Sequence, residues 1–254
     1  MKELTDKKVL ITGSARGIGR GLALAFADAG AELFLHYRTE GSAVSGLAEE
    51  LKRKNCRFVM FRADLSKGDE LENMFAGIRK QWGRLDAAVN NAGWDPGFMP
   101  SDQIDEALYY KLTDMNIKGT LFCCLRELEL MQRGGSIVNI GSVQMNTTVP
   151  GRVLYAASKG AIHAMSGALA LEAGPRGIRI NTIAPGYIAV ERMTDRADFQ
   201  EERVVSGIPV RRIGTPDDVA GLAVFLASEK SSFLTGETIV LDGGVNRKLA
   251  RYSE

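Results

Sequence analysis

What this chain can fold into is limited first by its rhythm, in which short apolar runs alternate with longer amphipathic stretches. The runs at 8–12, 32–36, 57–62, 87–90, 136–140, 179–183 and 238–241 have the length of strands. Helical patterns separate them near 18–29, 44–54, 70–82, 116–132, 153–172 and 216–228. Parallel neighbours in a sheet need a crossover, and a helix supplies one while covering a sheet face. Such crossovers are right-handed, so repeated strand–helix–strand units wind onto both faces. The expectation is an α/β fold, a Rossmann-type doubly wound parallel sheet flanked by helices. No linker, low-complexity tract or internal repeat divides the sequence, so residues 1–254 are expected to form a single domain. The least regular stretch, 187–213, is either a lid over a site or an ordinary pair of surface helices.

Composition narrows the class of function. Apolar residues make up 45% and charged residues 25%, enough to bury a core without metal or disulfide staples. A net charge of +1 calls for neither nucleic acid nor an anionic membrane as partner. Cys56, Cys123 and Cys124 lack C-x-x-C spacing and read as small buried hydrophobes in a reducing compartment. The only histidines, His36 and His163, lie on separate elements, so no metal is expected. The charged start has no secretory apolar core, and no apolar run nears the ~18 residues that span a bilayer. Cytoplasmic residence is the expectation.

Chemistry concentrates at two places. After the first strand the chain reads Thr12-Gly13-Ser14-Ala15-Arg16-Gly17-Ile18-Gly19 and opens into a helix. Glycines there allow a tight turn and let backbone N–H groups approach a pyrophosphate, which the helix N-terminus also favours. Further on, Tyr155 and Lys159 lie four apart on a helical pattern and share one face. Ser142 follows the fifth strand, at the sheet end where ligands of such folds bind.

With Asp64, Asn90-Asn91-Ala92-Gly93, Asn116, Pro185-Gly186 and Asp242-Gly243-Gly244, these motifs resemble the short-chain dehydrogenase/reductase family from Lys8 to Gly244. The resemblance implies hydride transfer between a nicotinamide cofactor and a carbonyl or alcohol carbon. Tyr155 would be the general acid/base, with Lys159 lowering its pKa and binding the nicotinamide ribose. Ser142 would bind the substrate oxygen, and Asn116 would hold a water linking Lys159 to solvent. Gly13, Ser14, Arg16, Gly17, Ile18 and Gly19 would hold the pyrophosphate. Asp64 and Leu65 would flank the adenine, Asn91, Ala92 and Gly93 would line the ribose side, and Pro185, Gly186 and the Ile188 N–H would meet the nicotinamide. Val190 stands where relatives often carry a threonine. The family also implies a homotetramer, packed through the helices of Asn116 and Tyr155, with 247–254 reaching a neighbour or hanging free.

At the end of the second strand Tyr37 replaces the carboxylate of NAD-selective members, and Arg38 and Arg16 suit a 2′-phosphate. NADP(H) is therefore the expected cofactor, with NAD(H) left open. For the substrate, Asp95, Gln144, Asn146 and Arg152 suit a sugar or polyol, whereas Trp94 and Phe98 suit a flatter apolar body. The framework equally suits a 3-oxoacyl thioester. A silent dinucleotide-binding regulator is the rival from another class; it would be marked by loss of Tyr155 or Lys159, and both are present.

Overall fold

Strand runs that alternate by twos place successive side chains on opposite faces of a sheet, and both faces here are apolar. In the computed structural model, which describes residues 2–195 and 199–247, Val9, Ile11, Leu33 and Leu35 pack into one core and Leu10 and Phe34 into another. The strands are β1 (Lys8–Ile11), β2 (Glu32–Tyr37), β3 (Phe58–Arg62), β4 (Leu85–Asn90), β5 (Met131–Ile140), β6 (Arg179–Pro185) and β7 (Thr238–Leu241). They form one parallel sheet in the order β3-β2-β1-β4-β5-β6-β7, the Rossmann-type arrangement expected.

The first core is filled from α1 (Gly17–Asp28), α2 (Ser42–Arg53) and a late helix, Pro216–Ala227; the second from α3 (Gly68–Trp82) and two long helices of the middle of the chain. Leu22 and Phe26 of α1 are fully buried, and each such side chain contributes about 1.5–3 kcal/mol by leaving water. α1 packs directly on the Pro216–Ala227 helix, where Gly21 lies so close to Pro216 that a Cβ would stand 2.6 Å from its ring.

Two expectations in the middle of the chain are corrected. Asn116 does not begin a helix. It lies inside a π turn, Asp114–Gly119, that joins α4 (Glu106–Thr113) to α5 (Thr120–Leu130). α4 has only Leu112 buried, so it carries almost no apolar periodicity to detect; the Asp105 side chain caps it by accepting from the Leu108 N–H at 2.7 Å. The helix expected to run to Gln132 ends at Leu130, and β5 begins at Met131 across a register shift against β4.

The remaining helices are α6 (Val153–Ala173), the short α7 (Glu191–Thr194) and α8 (Glu201–Ser206), and the late helix, α9 (Pro216–Ala227). The last two short helices fall in the irregular stretch, of which 196–198 lie outside the described residues, as do 248–254 of the tail. Among the described residues no helix is long and apolar enough to cross a membrane.

Candidate active site

Sheet register delivers the motif loops to one edge. Ile11 pairs with Val89, Val89 with Val138 and Ile140 with Ile183, so the loops after β1, β4, β5 and β6 leave side by side. Strand order reverses between β1 and its neighbours, and a crevice opens where such loops diverge.

The glycine loop is held by cross-braces. Asn91 Nδ2 donates to the carbonyls of Thr12 and Gly13 at 3.1 and 3.0 Å, while Thr12 Oγ1 accepts from the N–H groups of Asn91 and Ala92 at 3.0 Å each. Gly13 has φ +66°, and a Cβ there would sit 2.9 Å from Ala92 Cα; at Gly19 one would sit 2.0 Å from the Gly13 carbonyl oxygen. Behind the loop His36 is buried. Its Nδ1 accepts the Gly13 N–H at 3.1 Å, so Nε2 carries the proton toward Ala63 O at 2.9 Å. Burial pushes the imidazole pKa down to about 4, against the smaller upward pull of the Ala63 carbonyl.

α1 starts at Gly17 with no side-chain cap from Arg16 and no acid in its first turn. Its first N–H groups therefore suit an anion, and the tight glycine cradle fits a dinucleotide pyrophosphate. Val190 packs against this turn, its Cγ1 3.2 Å from where a Gly17 Cβ would lie, with the Glu191 carboxylate alongside. Ile18 is half-buried behind the loop and Ser14 is fully buried, donating from N and Oγ to His36 O at 2.9 and 3.1 Å.

At the adenosine end Arg16 and Arg38 are exposed and Tyr37 is half-exposed. A carboxylate is nonetheless present: Tyr37 Oη donates to Glu40 Oε1 at 2.7 Å, which raises the phenol pKa. Asp64 is engaged in a turn, accepting from Ser66 N and Oγ at 3.1 and 2.7 Å; these bonds and Arg38 outweigh its burial and hold the carboxyl below its ordinary value. Leu65 is buried in the second core, its carbonyl packed against Gly119 of the π turn, where a Cβ would lie 3.0 Å away. At the other end Gly186 lies where a Cβ would strike Asp242 at 2.7 Å, Pro185 ends β6, and Ile188 is buried and bridged to Gly214.

The chemical end centres on α6. Lys159, buried, donates from Nζ to the last carbonyl of β5, Ile140 O, at 2.9 Å and stands 5.7 Å from the centre of the Tyr155 ring. Asn116 is buried beside it. Its Nδ2 donates to Trp94 O at 2.8 Å and Ser158 Oγ at 3.2 Å, its Oδ1 accepts the Trp94 N–H at 2.7 Å, and Ser158 Oγ donates to Tyr155 O at 2.8 Å. A Cβ on Gly93 would lie 3.5 Å from Asn116 Oδ1 and 3.9 Å from Lys159 Nζ, so the three meet at one point. Ser142 is buried at the end of β5, its Oγ accepting the Gln144 N–H at 3.2 Å.

The structure thus brings Asn116, Tyr155, Lys159 and Gly93 together and joins Ser142 to them through Gln144 and Arg152. Sequence reasoning missed Thr12, Ser158 and the loop-bracing part of His36. Single polar residues beside a motif carry no periodicity, and only the fold shows what they touch. Of the polar residues expected near a substrate, three are joined: Arg152 pairs with Asp95 at 2.7 Å and donates to Gln144 Oε1 at 3.1 Å. His163 is distant from His36 and pairs with Thr238 Oγ1 at 2.8 Å.

A glycine cradle at a switch point, joined to a Tyr–Lys helix, defines a dinucleotide-dependent oxidoreductase. Comparison with known proteins makes the class specific. The family model described as enoyl-(acyl carrier protein) reductase matches residues 13–246. A 3-oxoacyl-[acyl-carrier-protein] reductase of Staphylococcus epidermidis is 32% identical over 94% of this chain and 99% of its own. Glucose 1-dehydrogenase 2 of Bacillus subtilis is 32% identical over 96% of each. The crystal structure of a glucose/ribitol dehydrogenase from Brucella melitensis superposes with a TM-score of 0.89 at 29% identity, covering 98% of this chain and 100% of that one. The chain belongs to the short-chain dehydrogenase/reductase family, and its activity is that of an NAD(P)(H)-dependent oxidoreductase acting on CH–OH groups.

Proposed function

We propose that this oxidoreductase interconverts a ketone and a secondary alcohol, with Tyr155 as general acid/base and NADP(H) as the preferred cofactor. One observation carries the reading: the Lys159 ammonium, fixed on Ile140 O, stands 5.7 Å from the Tyr155 ring in a cleft of buried polar groups. The bound nicotinamide supplies or accepts hydride. A phenol is a poor base at neutral pH because its ordinary pKa is near ~10, and a fixed neighbouring cation favours the phenolate. Ser142 holds the substrate oxygen. Asn116 positions Trp94 and the turn above Gly93; its carbonyl accepts from Thr120 Oγ1 at 2.8 Å, and in this reading the residue also holds the relay water that links Lys159 to solvent.

Arg16 and Arg38 support the 2′-phosphate, against which the Glu40 carboxylate acts. The segment 187–213 serves as lid in this reading, within a single domain. The exposed α6 residues Ala157, Ala164, Ala168 and Leu171 support packing against further copies in a homotetramer. Three free thiols, two of them buried, support residence in the cytoplasm.

For the substrate, the internal pairing of Asp95, Gln144 and Arg152 favours an apolar arm over a polyol. The crevice beside Tyr155, of about 10 Å³, is lined by Pro96, Met99, Ile104, Val153 and Leu154 with Arg152, an apolar wall that would have to open to admit such an arm. A 3-oxoacyl thioester is the second reading, favoured by the same apolar wall.

Nicotinamide fluorescence with NADPH and NADH, then rates with acetophenone, an acetoacetyl thioester and fructose, test these choices. Faster fructose turnover would overturn the apolar reading, and preference for NADH the roles of the arginines. Tyr155→Phe is expected to keep NADPH binding and lose about a hundredfold or more in kcat. Retention of more than about a tenth would show that another group moves the proton.

A further inference from the structure

We propose that Arg152 and Asp95 form a charge couple that sets the proton affinity of Tyr155, Arg152 lowering it and Asp95 limiting how far. The inference rests on Tyr155 being the acid/base. The Arg152 guanidinium lies over the face of the Tyr155 ring, 4.4 Å from its centre, closer than Lys159. All three of its nitrogens are engaged: Nη1 with Gly97 O and Asp95 Oδ1, Nη2 with Asp95 Oδ2, each at 2.7 Å, and Nε with Gln144 Oε1 at 3.1 Å. Both side chains are nearly closed off from water, 12% and 11% exposed, where charges are weakly screened.

The same couple docks the loop after Gly93 onto the start of α6. Asp95 Oδ1 accepts the Gly97 N–H at 2.9 Å, Met99 N–H donates to Gly151 O at 2.8 Å, and the Phe98 ring covers Gly151. A clamp alone would need no cation on the ring face. A guanidinium there favours the phenolate, whose negative charge spreads into the ring, over the neutral phenol. Asp95, bound to Nη1 and Nη2 of the same guanidinium, offsets part of that field.

Other charges around this end of α6 include Lys159 on the helix itself, Lys111 of α4 over the Trp94 ring at 4.4 Å, Asp114 paired with Lys118 at 3.0 Å on the π turn, and Asp102 and Asp105 on either side of Ile104, which lines the crevice beside Tyr155. Substitution at Arg152 or Asp95 leaves all of them in place.

The two halves of the couple predict opposite shifts, which loss of a clamp does not. In the NADP+ complex, ultraviolet titration of tyrosinate, each variant read against its own Tyr155→Phe counterpart, isolates this phenol among six tyrosines. Arg152→Gln is expected to raise its pKa by about one unit and Asp95→Asn to lower it by a similar amount, while Arg152→Lys stays near wild type. The pH limb for oxidation of 1-phenylethanol should move in the same directions. Shifts of one sign in both variants, or in neither, overturn the proposal. A titration that shifts while the rate limb stays fixed upholds the couple and removes Tyr155 as the acid/base.

Discussion

The Gly13 amide proton ends on an imidazole nitrogen, and that one bond ties the glycine loop to the charge state of a histidine. His36 must be neutral for Nδ1 to accept, and its folded pKa of about 4 lies below the ordinary 6.5. A depressed folded pKa gives stability that is whole above pH 6.5 and falls away as pH drops toward about 4, because the unfolded chain takes the proton first. The loss is about 3 kcal/mol, on the order of 1.4 per unit. Denaturant unfolding across this window should show that slope, and His36→Asn, which keeps an acceptor for Gly13 but does not titrate, should flatten it. An unchanged slope would assign it to other groups. The sequence showed a histidine apart from any metal-ligating partner; the carbonyl and amide that fix it come from the residue after β3 and from the glycine loop, 27 and 23 positions away.

Among the elements, the β1–α1 turn tolerates least. A methyl at Gly19 would have to occupy the space of the Gly13 carbonyl oxygen, only 2.0 Å away, and no rotamer relieves a contact with backbone. Gly19→Ala should weaken NADPH binding at least about tenfold and lower Tm, since the turn must move to admit it. Gly46→Ala on α2, which meets nothing within 4 Å, is the control, expected to be neutral or slightly stabilising by both measures. Equal NADPH affinity in the two variants would refute the close-packed cradle. The turn was legible because its glycines recur at a strand–helix boundary. α4 and the π turn were not: the partners of the π turn are backbone groups of Trp94 and Leu65, which no local pattern reveals.

At the scale of the molecule, the second core is not wholly apolar. Glu127 is fully buried on α5, accepting from Asn90 Nδ2 at 2.9 Å, and Asn90 in turn reaches Asn139 and, through it, Ser166. Burial drives the Glu127 carboxyl up to about 8, against the downward pull of the Asn90 bond. A raised folded pKa gives stability that is whole below the ordinary 4.5 and is lost as pH climbs through about 8. Between 4.5 and 6.5 this opposes the His36 slope, and above 6.5 it acts alone. Stability should therefore decline by about 2 kcal/mol from pH 6.5 to 8, and Glu127→Gln should abolish the decline. Persistence of the full decline in that variant would place its origin elsewhere.

The sequence by itself determined the α/β class, the strand succession, the glycine turn and the Tyr155–Lys159 pair. Each is written in local spacing: runs of strand length, glycines at a boundary, two residues one helical turn apart. Only the tertiary structure decided that Arg152 and Asp95 close on each other beside Tyr155. It alone decided that Glu40 returns a carboxylate to the end of β2, and that Asn116 sits in a π turn clasping Trp94. Those contacts join residues from separate crossovers, and a charge or amide has no periodicity to announce its partner until the sheet sets their loops side by side.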